Sequence, residues 1–145
     1  MEQRLSLITL GVADLGRARG FYETLGWRTL PQSNDSVAFY QCGGIVFALF
    51  GQRIAAEQGE DANLAPHGEG FSGIALAHNV REKDEVDALL AEAEAAGGKI
   101  LKRGCDAFWG GYTGYFADPD GHVWEVAWNP GAIIGADGSF RFAER

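Results

Sequence analysis

The fold is decided by the stretch from Trp109 to Trp128, which reads WGGYTGYFADPDGHVWEVAW. Two runs rich in aromatic and β-branched residues, Gly111–Ala117 and His122–Trp128, flank the tetrapeptide Asp-Pro-Asp-Gly at 118–121. Proline and glycine at these places are typical of a tight turn between antiparallel strands. The stretch therefore predicts a β-hairpin, and Glu125 is the one acidic residue within its second strand.

A similar hairpin is predicted earlier in the chain. The runs Ser36–Cys42 and Ile45–Phe50 flank Gly43-Gly44, a two-residue hairpin signal. The segment Gly44–Leu49 superposes on Gly121–Val126, with glycine first and apolar residues after it. The two hairpins therefore indicate an internal duplication.

The segments that precede the hairpins also repeat. A shift of 66 residues places Ile8 on Ile74, Leu10 on Leu76 and Val12 on His78. Each copy is predicted to begin with a strand, a helix and a further strand. In the first copy Asp14 caps the helix and Gly26 ends it. The predicted segments are the strand Leu5–Val12, the helix from Leu15 to Leu25 and the strand Trp27–Leu30, then Phe71–Asn79, Arg81–Ala96 and the strand starting at Lys99–Leu101.

Three consecutive strands follow each helix. This order favours an α+β fold over a doubly wound parallel sheet. We predict one domain over residues 1–130, with module one at 5–51, a linker at 52–70 and module two at 71–128. The linker is polar and glycine-rich with a short helical pattern around Arg53–Gln58, and we consider it as a lid. Residues 131–145 are expected to form a C-terminal tail that docks on a neighbour or frays.

Charge and composition exclude some classes of function. The formal net charge is −8, and clustered Lys and Arg of a nucleic-acid footprint are missing. No apolar run is long enough to span a bilayer, and no secretory signal is visible, so neither nucleic acid nor membrane is an expected partner. The two cysteines, Cys42 and Cys105, have no CxxC spacing, and the default expectation is a reduced, cytoplasmic setting.

Three segments resemble the glyoxalase/bleomycin-resistance/dioxygenase superfamily, also called vicinal oxygen chelate proteins. They are Ile8–Tyr22 (ITLGVADLGRARGFY), Leu25-Gly26-Trp27 and Trp109–Trp128. The resemblance extends from Leu5 to Trp128. It implies two tandem βαβββ modules that form a curled mixed sheet around a cavity, in a protein that often forms a homodimer.

The resemblance also implies where a metal ion would bind. Metal-using members hold a divalent ion with four inward side chains, two per module, and the matching positions here are Leu7, Ala48, Gly73 and Glu125. Only Glu125 can ligate a metal, whereas a zinc site needs three or four donors. We therefore predict no metal site of the family type and no cofactor. A divalent ion would need ligands from elsewhere, such as His67 in the linker.

Strand alternation predicts which side chains line the cavity. If Glu125 faces inward, Val123 and Ala127 do as well, while Trp124 and Val126 point toward the helix layer. The repeat and the aromatic residues near the second hairpin extend this set. The predicted cavity residues are Leu7, Thr9, Ala48, Phe50, Gly73, Ala75, Trp109, Tyr112 and Glu125, with Tyr115 and either Phe39 or Tyr40 as further aromatic candidates.

Three functions remain open at this point. The first is a metal-free protein that binds a small cationic or aromatic molecule, as drug-resistance members of the family do. The second is a metal-dependent lyase or isomerase of the lactoylglutathione lyase type. The third is a metal-free enzyme in which Glu125 is the general base and Tyr112 or Tyr115 a hydrogen-bond donor. An alternative role for Glu125 is a semi-exposed carboxylate bound only to a tyrosine hydroxyl or to water.

Overall fold

The computed structural model describes residues 1–62 and 68–143, without the side chains of residues 60 and 61. The chain divides into two compact units, Met1–Gly73 and Ile74–Arg145. The boundary falls three residues after the predicted end of the linker. His67 lies outside the described residues, as do residues 63–66 of the linker and residues 144 and 145 of the tail.

The first unit contains a three-stranded mixed sheet and two helices. Its elements are β1 (Leu7–Gly11), α1 (Leu15–Thr24), β2 (Val37–Cys42), β3 (Ile45–Phe50) and α2 (Gln52–Asp61). The strand order is β1-β3-β2, with β1 parallel and β2 antiparallel to β3. The predicted strand Trp27–Leu30 is reduced to an isolated bridge between Thr29 and Tyr40. Pro31 follows it and has no N–H with which to continue the ladder.

The second unit contains a complete βαβββ module. Its elements are β4 (Leu76–Asn79), α3 (Glu85–Ala95), β5 (Lys99–Asp106), β6 (Tyr112–Ala117) and β7 (Val123–Trp128). The strand order is β4-β7-β6-β5, and β4 is parallel to β7 while the other pairs are antiparallel. The predicted α+β class with mixed sheets is confirmed, and neither sheet closes into a barrel.

The predicted tail folds as a small hairpin within the second unit. The strands β8 (Ala132–Ile134) and β9 (Phe140–Phe142) pair antiparallel and form a separate two-stranded sheet. The loop between them is held by Asp137, whose Oδ1 accepts hydrogen bonds from the backbone N–H and hydroxyl of Ser139. No helix among the described residues is both long and apolar enough to cross a membrane.

The predicted turns and caps form as the sequence indicates. The Asp14 side chain accepts a hydrogen bond from the N–H of Arg17 at 2.9 Å and caps α1. After α1, Gly26 has a φ of +97°, and the N–H of Trp27 bonds to the carbonyl of Tyr22. In the turn of the second hairpin, the Asp118 carboxylate accepts from the N–H groups of Asp120 and His122. Asp118 is therefore a turn former, which is its expected role.

Each helix packs on one face of its own sheet. In the first unit, Tyr22 on α1 contacts the rings of Tyr40 and Phe47. In the second unit, the buried residues of α3 are Val86, Leu90 and Ala93. The sheet beneath α3 presents buried Phe116, Trp124 and Val126, and the rings of Phe116 and Trp124 stack with an interplanar angle of 5°. Trp124 and Val126 therefore face the helix, as predicted.

The register of the strands corrects the repeat. In the first unit Leu10 pairs with Leu49, and in the second unit His78 pairs with Val126. Since Gly44–Leu49 matches Gly121–Val126, the counterpart of Leu10 is His78 rather than Leu76. The offset for β1 and β4 is therefore two residues longer than the predicted 66. The counterpart of Leu7 becomes Ala75 instead of Gly73.

Candidate functional site

Glu125 lies in the middle of β7, on the face of the second sheet that points away from α3. Its cross-strand neighbours are Tyr115 on β6 and Ala77 on β4. Thr113 and Ala127 form the next pair on the same face. The alternation that placed Val123, Glu125 and Ala127 on one face is thus confirmed within this unit.

Two residues of β6 lie next to the Glu125 carboxylate on this face. The Thr113 hydroxyl donates to Oε1 at 2.9 Å, and Thr113 itself is only 7% exposed. Tyr115 lies directly opposite Glu125 across the hairpin. Burial, then the charge of Glu125 and hydrogen bonding to it, raise the pKa of Tyr115. Tyr115 therefore remains a protonated donor at neutral pH.

The surroundings of the carboxylate are small and mostly apolar. On the same face lie Ala77, Ala117, Val123 and Ala127, of which Ala117 and Ala127 are buried. A carboxylate has about four lone-pair positions, and the Thr113 hydroxyl occupies one of them. The remaining acceptor positions of Glu125 are chemically suited to the N–H or O–H groups of a ligand.

Tyr112 is not part of this face, although the sequence prediction grouped it with Glu125. It pairs with Trp128 at the start of β6, one residue out of phase with Thr113, and lies on the side of α3. Its hydroxyl donates to the carboxylate of Asp87 on α3 at 3.0 Å, and the Lys83 ammonium lies 5.0 Å from its ring centroid. The hydrogen bond to Asp87 is the main cause of a raised Tyr112 pKa. Tyr112 therefore joins helix to sheet.

Trp109 lies in the turn between β5 and β6. It is 41% exposed, and its ring covers Gly111 so closely that an added Cβ there would overlap the ring. Gly111 is thus required by the position of this indole. The structure gives no contact between Trp109 and Glu125.

Four predicted cavity residues belong to the first unit. Leu7, Thr9, Ala48 and Phe50 share the sheet face that points away from α1, because Phe47 and Tyr40 occupy the helix face. Ala48 is fully buried, whereas Leu7 is half exposed. Phe39, rather than Tyr40, is on the face of Phe50, and their rings are perpendicular at 6.5 Å.

Gly73 and Ala75 do not lie in a strand, which corrects the predicted strand Phe71–Asn79. The strand β4 begins at Leu76. Gly73 is in a bend with a φ of +86°. Residues other than glycine rarely adopt this backbone conformation. The preceding residues Gly68 to Ser72 are polar or glycine in four of five positions, so they do not support regular pairing.

The residues at the family's metal-ligand positions do not fit a metal ion. Leu7, Ala48 and either Gly73 or its structural replacement Ala75 have no donor side chain. Among residues 1–62 and 68–143, no group of three or more His, Cys, Asp or Glu side chains is arranged to hold a metal. Glu125 instead accepts a hydrogen bond from Thr113 and lies opposite Tyr115, an arrangement that suits hydrogen bonding rather than metal binding.

His78 lies on β4 opposite Val126, near the start of α3. Although part of its side chain reaches solvent, burial by its neighbours is the largest influence on the His78 pKa and lowers it. The Glu85 charge raises this pKa and the Arg81 charge lowers it. The folded protein therefore holds His78 in its neutral form to a lower pH than an unfolded chain would.

This shift predicts a pH dependence of stability. Between the ordinary histidine pKa of about 6.5 and the lower folded value, the unfolded state binds more protons, so stability falls as the pH falls. We expect the free energy of unfolding to decrease more between pH 7.5 and 5.5 in the wild-type protein than in His78→Gln. Urea unfolding at several pH values measures this difference. Parallel pH curves for the two proteins would contradict it.

Comparison with known proteins adds the family context. The family model described as Glyoxalase/Bleomycin resistance protein/Dioxygenase superfamily matches residues 4–126. A glyoxalase-related enzyme from Fulvimarina pelagi is 42% identical with a TM-score of 0.88, and the match covers 99% of this chain and 100% of that one. None of the curated proteins matches the chain.

Two more distant structures share the fold. A glyoxalase/bleomycin resistance protein/dioxygenase family enzyme from Burkholderia phytofirmans is 18% identical with a TM-score of 0.73, over 85% of this chain and 96% of that one. A lactoylglutathione lyase from Agrobacterium tumefaciens is 23% identical with a TM-score of 0.65, over 89% of this chain and 96% of that one.

Proposed function

The chain belongs to the Glyoxalase/Bleomycin resistance protein/Dioxygenase superfamily, and from this premise we propose that it binds a small organic molecule through Glu125 without a metal ion. The observation that carries the proposal is the Glu125 carboxylate, which accepts a hydrogen bond from Thr113 and lies opposite Tyr115 among small apolar residues. The superfamily includes several chemistries on one fold, so the site residues must decide between them.

The ligand is expected to carry a cationic or hydrogen-bond-donating group. Thr113 donates to the carboxylate, and Tyr115 lies opposite it across the hairpin. A ligand carboxylate at this position would meet like charge, whereas an ammonium or amidinium group would form a charge-assisted hydrogen bond. Such bonds contribute about 1.5–3 kcal/mol when a partner is ionised.

The remainder of the ligand is expected to be apolar. Ala77, Ala117 and Ala127 have side chains of one methyl group, which leaves room above the sheet next to Glu125. Apolar ligand surface that leaves water there contributes roughly 25 cal/mol per Å². An aromatic amine combines both features.

The relatives support a small-molecule function without identifying the reaction. The Fulvimarina protein is described as glyoxalase-related and as an enzyme. The likeness to the lactoylglutathione lyase rests on 23% identity and supports the fold alone. A reaction that depends on a bound metal is disfavoured here because Leu7 and Ala48 replace two of the family's ligands.

We predict that Glu125→Gln weakens the binding of benzylamine by about tenfold or more, which corresponds to about 1.4 kcal/mol. Glutamine keeps an oxygen that accepts from Thr113 but removes the negative charge. Isothermal titration with benzylamine, benzyl alcohol and benzoate separates the cationic group from the ring. The wild-type protein is expected to bind the three probes in that order of decreasing affinity.

Glu92→Gln is a matched control, since Glu92 is exposed on α3 and its loss changes the net charge equally. Equal benzylamine affinity in the wild-type and Glu125→Gln proteins would remove Glu125 from the ligand site. Failure of all three probes to bind the folded wild-type protein would overturn the proposed preference. Stoichiometric zinc, nickel, iron or manganese in the purified protein would overturn its metal independence.

A further inference from the structure

A cleft in the second unit lies beside the C-terminal hairpin and extends to Ala77, the cross-strand neighbour of Glu125. It has a volume of about 450 Å³ and is lined by the end of β4, the start of the following turn and the hairpin. A smaller cleft of about 300 Å³ shares four of its lining residues and extends to Trp128 and Pro130. The residues that matter for its chemistry are His78, Asn79, Arg81, Glu85, Ile134 and Phe140.

The cleft contains one positive and one negative side chain that do not pair with each other. The Arg81 guanidinium donates from Nη2 to the carbonyl of Gly135 at 2.8 Å. The Glu85 carboxylate accepts from the N–H of Glu82 at 2.7 Å. Between these two described residues no ion pair forms, and each influences the pKa of His78 with opposite sign. The imidazole therefore lies within the fields of both charges.

Both charged groups retain hydrogen-bonding capacity. A guanidinium has five N–H donors arranged for bidentate contact with a carboxylate, and one hydrogen bond of Arg81 is made to the hairpin. Within residues 1–62 and 68–143, no side-chain acceptor is bonded to Arg81. One oxygen of Glu85 serves the turn before α3, and the carboxylate has further acceptor positions.

Apolar residues also line the cleft. They are Phe140, which is 46% exposed, Ile134 and Val80. The β8–β9 hairpin therefore presents hydrophobic surface into the cleft that also contains the two opposite charges. Burial of such surface by an apolar group is favourable.

We propose that this cleft binds a free α-amino acid with an apolar side chain. The ligand carboxylate binds Arg81, its ammonium group binds Glu85, and its side chain contacts Ile134 and Phe140. A zwitterion matches a cleft with one charge of each sign, whereas a simple carboxylate meets Glu85 and a simple amine meets Arg81. The volume lies within the 300–1,000 Å³ that is usual for small-molecule sites.

The test is calorimetric titration of the full chain with L-phenylalanine, 3-phenylpropionate and phenethylamine. The last two probes lack the ammonium and the carboxylate, respectively. With Glu125→Gln present in every protein titrated, so that the amine site proposed above is removed, we expect L-phenylalanine to bind at least about tenfold more tightly than either analogue, which corresponds to about 1.4 kcal/mol. Equal affinity for the three probes, or no binding of L-phenylalanine to the folded protein, would overturn the proposal.

Two charge-removing variants give a readout that a merely structural effect would not produce. Arg81→Gln is expected to lose the preference for L-phenylalanine over phenethylamine, and Glu85→Gln the preference over 3-phenylpropionate. Glu85→Gln keeps an oxygen for the Glu82 N–H. Arg141→Gln on β9 is the matched control for a lost arginine and should bind as the wild type does. If either cleft variant keeps all wild-type preferences, the assigned contacts are wrong.

Discussion

Replacing Tyr22 by alanine is expected to lower the free energy of unfolding by about 3–5 kcal/mol, the range for large aromatic residues cut back in a core. Tyr22 is 1% exposed at the centre of the first unit's core. Its ring centroid lies 5.0 Å from that of Phe21, 5.2 Å from Trp27 and 5.1 Å from Phe47. Alanine leaves a cavity that these rigid rings fill only in part.

Urea unfolding followed by tryptophan fluorescence measures this loss, because Trp27 is part of the same cluster. Tyr22→Phe is the matched control, since it keeps the ring and removes only the hydroxyl, and we expect it to cost about 1 kcal/mol. The rings of Phe21, Tyr22, Trp27 and Phe47 form one cluster. If Tyr22→Ala lowered the free energy of unfolding by less than about 1 kcal/mol, this cluster would not be the main contact that stabilises α1.

The environment of Glu125 was predictable from the turn that precedes β7. Once the turn at 118–121 is fixed, Ala117 pairs with Val123, and counting outward places Tyr115 opposite Glu125. The sequence analysis named Tyr115 but missed Thr113, which is a diagonal neighbour of Glu125 across the hairpin. Diagonal neighbours lie within reach of long side chains, so the register together with side-chain length was the signal that would have found Thr113.

The same count would have excluded Tyr112. It is separated from Thr113 by one residue, and side chains of successive strand residues point to opposite faces. Tyr112 was predicted to line the cavity because it is an aromatic residue near the second hairpin, and residue type does not distinguish the two faces of a strand. Tyr112 therefore links β6 to Asp87 on α3 instead of contacting a ligand next to Glu125.

The repeat offset shows a different limit of sequence comparison. Shifts of 66 and 68 residues both place apolar residues on apolar residues except at His78, because the side-chain period of a strand is two. Only the backbone pairs, such as the bonds from the N–H of Val12 to Phe50 and from the N–H of Val80 to Ala127, distinguish the two shifts. Ala77 still lies on the Glu125 face because the error was an even number of residues, whereas Gly73 and Ala75 lie outside β4. The predicted homodimer and cytoplasmic location stay predictions.

The corrected register identifies a second position of large effect, Gly114 on β6. Gly114 pairs with Val126 beneath α3, and its counterpart in the first unit is Ala38, which pairs with Leu49 and is fully buried. Both units thus use a small residue on the strand that passes under the helix. The first unit accommodates a methyl group there, so the space at Gly114 decides whether the second unit does.

A Cβ at Gly114 would lie 2.5 Å from Cδ1 of Leu90, 2.9 Å from the carbonyl oxygen of Lys102 and 3.1 Å from the N of Gly104. The Leu90 methyl can move, but the other two atoms are backbone of β5, whose pairing with β6 shifts register between Lys102 and Cys105. A side chain at Gly114 therefore has to displace the irregular part of β5. Overpacking of this kind typically costs about 1–3 kcal/mol.

We expect Gly114→Val to lower the free energy of unfolding by about 3 kcal/mol, at the upper end of that range, and Gly114→Ala by less. The reciprocal change Ala38→Gly is the control, with an expected loss of about 0.5–1 kcal/mol from backbone entropy. Urea unfolding of the three variants measures the order. If Gly114→Val were as stable as the wild type, β5 would be free to move away from β6, and the small residue under α3 would not be a packing requirement.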